Sequence, residues 1–107
     1  MYVRSAYWLG APRPGVEQKF RDLIEREVLP AMRAMPGVSA VHGLWPVKLE
    51  DNPPPIALQV VVHYASMADA QRMLACDERK ALRPRVLEAA AMFDGTMSHI
   101  EFESNPS

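Results

Sequence analysis

Residues 56–64, IALQVVVHY, constrain the fold more than any other stretch of the chain. In an extended conformation Ile56, Leu58, Val60, Val62 and Tyr64 point to one side, and Ala57, Gln59, Val61 and His63 to the other. Both sides are largely apolar. A strand of that kind needs cover on both faces, so it belongs in the middle of a sheet. A chain of 107 residues that is 49% hydrophobic and 23% charged can build the required core as one domain, residues 1–107.

The segments around this strand fall into a simple order. Residues 1–9, MYVRSAYWL, read as a first strand, with Val3, Ser5, Tyr7 and Leu9 on one parity and Tyr2, Arg4, Ala6 and Trp8 on the other. Residues 10–15 read as a loop. Residues 16–37 read as a long amphipathic helix ending at Pro36-Gly37. Its apolar face is Val16, Phe20, Leu23, Ile24, Val28, Ala31 and Met35, and Glu17–Arg21 and Asp22–Arg26 are spaced to pair. Pro30 has no N–H, which predicts a kink. Residues 38–47 read as a second strand, where Gly43 marks a bulge or a close backbone approach and Pro46 implies a sheet edge. Pro53-Pro54-Pro55 reads as a stiff loop rather than a docking peptide.

Beyond residue 64, Ser66 with Asp69 three residues on resembles a helix start. The helix that follows buries Ala70, Met73 and Leu74 and is expected to break at 77–80. A further piece over 80–92 directs Leu82, Val86, Leu87, Ala90 and Phe93 to the core, with Pro84 near its first turn. Asp94-Gly95 reads as a turn, 96–103 as the last strand and 104–107 as a tail.

The order is β-α-β-β-α-β, an α+β sandwich of the ferredoxin-like plan: a four-stranded antiparallel sheet with helices on one face. The other face would leave Ala57 and Val61 against water, so a homodimer through the open sheet face is expected. A formal net charge of −1 gives no support for nucleic-acid binding. Cys76 is alone, which fits a reducing compartment, and no apolar run approaches the roughly 20 residues of a membrane span. The N-terminal stretch is too short and too aromatic for a secretory signal, so a cytoplasmic protein without membrane partners is expected.

Two stretches carry a family likeness. The helix end Pro30-Ala31-Met32-Arg33-Ala34-Met35-Pro36-Gly37 and the junction His63-Tyr64-Ala65-Ser66-Met67 resemble the EthD-like family of the dimeric α/β-barrel superfamily. The resemblance implies a small homodimer with a small-molecule site between sheet and helices. It also implies cofactor-free chemistry of the quinol-monooxygenase, isomerase or cyclase type. EthD-like chains usually carry a histidine two residues before the first of these prolines; here that position is Val28. Fold-level likeness alone does not fix an activity.

Among the residues able to carry chemistry, imidazoles come first, because their proton affinity lies nearest neutral pH. His42, His63 and His99 fall on three separate strands. Gln59 shares a parity with His63, and Glu101 with His99, so His63 and His99 are the catalytic candidates and His42 a pocket candidate. The plainer account makes each a sheet histidine or a residue of the dimer seam. The spacing offers no metal motif, and neither metal nor cofactor is expected. Asp77 and Glu78 disfavour a Cys76 thiolate, so a buried helix cysteine is expected. Trp8 and Trp45 are candidates for an aromatic wall against a flat, apolar ligand, with core packing as the competing account. Arg4 is expected to pair with Glu101 or Glu103. The functional readings are an enzyme acting on an aromatic or polyketide-like molecule, a non-catalytic accessory protein of a degradation pathway, and a purely structural dimer.

Overall fold

The computed structural model describes residues 1–105. It has β1 (Tyr2–Pro12), a first helical stretch, β2 (Ala40–Leu44), β3 (Ile56–Tyr64), helices α3 (Met67–Ala75) and α4 (Asp77–Ala91), and β4 (Phe93–Glu103). The first helical stretch comprises α1 (Glu17–Leu23), a π-helical segment over Ile24–Val28, and α2 (Leu29–Arg33). The sheet order is β2-β3-β1-β4, with every neighbouring pair antiparallel. This is the ferredoxin-like βαββαβ fold, and β3 is an inner strand as its two apolar parities require.

Tyr2, Arg4, Ala6 and Trp8 of β1 lie beside Tyr64, Val62, Val60 and Leu58 of β3, and that side of the sheet faces the helices. Phe20, Leu23, Ile24 and Val28 of the long helical stretch and Met35 of the turn beyond it meet this side, all buried. Trp8 sits edge-on to both Phe20 and Phe93, each with ring centroids 5.3 Å away. The opposite side carries Ser5, Tyr7, Gln59, Val61 and His63 and has no second layer; the whole domain is only 19 Å deep.

Several local expectations are corrected. The distortion around Pro30 takes the form of a π turn on its N-terminal side: the Leu29 N–H donates to the carbonyl of Ile24, five residues back. The wider turn accommodates a proline that cannot donate at the next position. Arg21 pairs with Glu25 at 2.9 Å rather than with Glu17, and Asp22 accepts from Gln18 rather than meeting Arg26. Residues 10–12 extend β1 instead of forming a loop, and Asp94-Gly95 lies inside β4 instead of forming a turn. Gly10 and Gly95 face each other in that ladder, and both have positive φ (129° and 153°). A Cβ on Gly95 would overlap the Leu9 carbonyl oxygen, so the turn-like residues serve a close strand pairing.

Residues 77–80 open α4 rather than breaking a helix; the break is Cys76, a half-buried residue in extended conformation between α3 and α4. Pro84 therefore lies inside α4, away from the first turn. Phe93 is buried, but from β4 rather than from a helix. β2 ends at Leu44, short of Trp45 and Pro46. The expected Ser66 cap is present, its hydroxyl accepting the Asp69 N–H at 3.1 Å. Gly43 marks a close approach without a bulge, since a Cβ there would lie 2.8 Å from Leu29 Cδ1. The expected tail extends past the described residues.

Candidate functional site

The long α4 leaves part of the sheet unsealed. Of its 15 residues only Leu82 and Ala89 are buried, and Val86 is half-buried. Arg79 and Arg83 occupy the same side of the helix, one turn apart, alongside Leu82 and Val86. Charged side chains therefore stand where a sealing helix would place apolar ones. A cavity of about 400 Å³ remains between α4, the π-helical turn and strands β3, β1 and β4 of the sheet. That volume lies within the range typical of small-molecule sites, about 300–1,000 Å³.

The cavity has an apolar body and a basic mouth. Ile24, Val28 and Met32, with Met35 from the turn beyond α2, form one wall, and Ala6, Trp8, Val60 and Val62 the sheet wall. Arg4 and His99 line it from β1 and β4, and Arg79, Lys80 and Arg83 from α4. Arg4 donates to Glu101 at 2.7 Å, the ion pair expected from the sequence. Glu101 is therefore engaged by Arg4, and the His99 imidazole makes no hydrogen bond among the described residues. Partial burial, then the charges of Arg4 and Arg79, lower the proton affinity of His99 below the ordinary imidazole value. The same surroundings therefore disfavour the protonated form of the His99 ring.

The other candidates are distributed over both sides of the sheet. Val28 and Trp8 line the cavity. His63 and His42 lie on the open side, their rings 5.5 Å apart and nearly perpendicular. Gln59 donates to the Ser5 hydroxyl at 3.2 Å and the Tyr7 hydroxyl at 3.4 Å and makes no bond to His63. Trp45 and His42 instead border a second, more open recess with Glu25, Leu29 and Arg33. There Trp45 packs on Phe20 and carries the Arg21 guanidinium 4.6 Å above its ring. Arg79, Lys80 and Arg83 are the cavity residues that sequence reasoning missed. Their signal was available: three cations within five residues, interleaved with Leu82, on a helix with too few apolar positions to cover a sheet.

No protein-family model matches the sequence, and no curated protein matches it. Solved structures do match in fold. An EthD family protein from Bacillus halodurans superposes with a TM-score of 0.76 at 18% identity, covering 98% of this chain and 100% of that one. A ferredoxin-like DABB family protein from Mesorhizobium loti gives 0.70 at 11% identity, with 97% of each chain covered. A cofactor-independent oxygenase from Streptomyces nogalater gives 0.62 at 16% identity, covering 99% of this chain and 93% of that one. No described helix is long and apolar enough to cross a membrane. The chain thus carries the ferredoxin-like fold seen in these EthD and DABB family proteins.

Proposed function

We propose that this protein is a homodimeric small-molecule protein that takes an aromatic or polyketide-like molecule into the cavity between sheet and helices. There His99 accepts a proton from a phenolic or enolisable group. The observation that carries this reading is the placement of an imidazole of lowered proton affinity on the wall of a cavity whose body is apolar. Deprotonation is the common first step of an isomerisation, a cyclisation, or an oxidation in which the substrate anion itself reduces O₂. In each case the protein supplies one base and an apolar wall beside it. Arg4, held by Glu101, lies close enough to favour the negative charge that develops. The structural neighbours that include a cofactor-independent oxygenase support chemistry of this class.

The dimer is proposed through the open sheet face. Ile100 and Phe102 of β4 and Leu44 of β2 remain 47%, 41% and 48% exposed there, around Val61 and Tyr7. A second copy seated on that face hides this surface in a closed two-fold arrangement. Sedimentation at micromolar concentration tests it: a dimer is expected, and Val61→Glu should give monomers. A folded wild-type monomer contradicts the proposal.

The chemical reading is tested by oxygen uptake and proton exchange with a panel of quinols and enolisable aromatics. His99→Asn should reduce turnover by about 10²–10⁴-fold, while His63→Asn leaves it unchanged. Equal turnover in both variants refutes the role of His99. A second reading, a non-catalytic binding protein, is favoured by Val28, which closes the cavity wall where EthD-like chains usually carry their histidine. Binding without turnover, unaffected by His99→Asn, would establish that reading instead.

A further inference from the structure

The basic mouth of the cavity specifies a charge as well as a shape. Among the described residues the Arg83 side chain has no ion pair or hydrogen bond, and the Arg79 side chain donates only to the Leu74 carbonyl, at 3.4 Å. Lys80 meets Asp77 at 3.9 Å, a long and exposed contact. Of the other carboxylates nearby, Glu101 is engaged by Arg4, and Glu27 and Glu88 by Arg85, while Glu78, beside Arg79, forms no ion pair among the described residues. Arg79 and Lys80 also lie in the first turn of α4, where the helix dipole disfavours positive charge. The dipole of α4 therefore gives no reason for cations at these two positions. The field they set up reaches the opposite wall, where Arg79 acts on His99. An apolar slot bordered by uncompensated guanidinium groups is complementary to a molecule that is apolar at one end and anionic at the other.

We infer that the cavity selects an amphipathic organic carboxylate, its ring system against Ile24, Val28 and Val60 and its carboxylate held at the mouth by Arg79 and Arg83. This deepens, and rests on, the reading that the cavity is a small-molecule site. The guanidinium fork matches a carboxylate in two parallel hydrogen bonds, which an amide of the same shape cannot reproduce. The apolar wall holds the ring whatever the charge; the arginines determine which of two equally shaped molecules binds.

The test compares 1-naphthoate with its neutral isostere 1-naphthamide by isothermal titration calorimetry on the full chain. Wild-type protein should bind the naphthoate about ten-fold more tightly or better, and that preference should fall as NaCl is raised. Arg83→Gln should weaken naphthoate binding several-fold, and Arg79→Gln with Arg83→Gln should abolish the preference. Naphthamide affinity should stay within about two-fold in both arginine variants. Val86→Trp, at the cavity wall, should weaken both ligands. Equal affinity for the two ligands in wild type, with both weakened by Val86→Trp, would overturn the carboxylate inference and leave the small-molecule site standing. A naphthoate preference that survives the double variant would overturn it as well. Binding of neither ligand at millimolar concentration would refute the small-molecule site and the inference with it.

Discussion

Tyr64 ends the central strand and is 1% exposed, yet its hydroxyl has no hydrogen-bond partner among the described residues. Its ring stacks on Tyr2 with centroids 6.0 Å apart and planes 13° from parallel, an arrangement that does not use the hydroxyl. A buried polar group without a partner costs about 1–3 kcal/mol. Tyr64→Phe removes that cost and forfeits only a few dispersion contacts, each worth about 0.1–0.2 kcal/mol. The expected net gain is about 1–2 kcal/mol. Unfolding entropy of about 2.1 cal/mol/K per residue gives roughly 0.22 kcal/mol/K for this chain, so the thermal midpoint should rise by about 4–9 °C. Urea unfolding at fixed protein concentration should show a higher midpoint with an unchanged slope. Tyr7→Phe is the control, because the Tyr7 hydroxyl does accept from Gln59. It should be neutral or destabilising by about 1 kcal/mol at most. A loss of about 1 kcal/mol or more in Tyr64→Phe would refute the reasoning, since the hydroxyl would then have to be making a favourable interaction.

Two further outcomes follow from the same geometry. Gly43→Ala places a methyl 2.8 Å from Leu29 Cδ1, in a buried contact between β2 and the long helical stretch. Overpacking costs about 1–3 kcal/mol and reduced unfolded-state freedom returns about 0.4–1 kcal/mol. Chemical denaturation should therefore show a net loss near 1 kcal/mol, and a gain would contradict the close approach. The lowered proton affinity of His99 also has a sign. Between the unfolded imidazole value and the lower folded one, the unfolded chain binds more protons, so stability falls as pH falls through that window. Stability measured from pH 7.5 down to 5.5 should decline less steeply in His99→Gln than in wild type; a steeper decline would reverse the assignment.

Element order, the central place of β3 and the alternation along each strand were legible because hydrophobic periodicity carries them. The ends of β1 and β4 were not. Gly10, Asp94 and Gly95 have the chemistry of turns, and only their pairing with each other shows that they continue a ladder. The start of α4 was hidden because four charged residues in a row resemble a break, whereas a single extended residue, Cys76, divides α3 from α4. Strand parity placed His63 beside Gln59 and His99 beside Glu101. The choice of which parity faces the helices is tertiary, and it separates the two imidazoles by the thickness of the sheet. The basic mouth needed the same knowledge. Arg79 and Arg83 become a site only when the turn of α4 that bears them is seen to overhang an unfilled space.

The three histidines offer the most direct test of where a guest binds, since His99 lines the cavity while His42 and His63 lie across the sheet. Imidazole resonances of the ¹⁵N-labelled protein should be followed by NMR as 1-naphthol is added, with His-to-Gln variants giving the assignments. The account predicts that the His99 signals shift in a saturable way while those of His42 and His63 stay within their unliganded positions. Saturable shifts at His42 and His63 with His99 unmoved would place the guest on the open face and contradict the account.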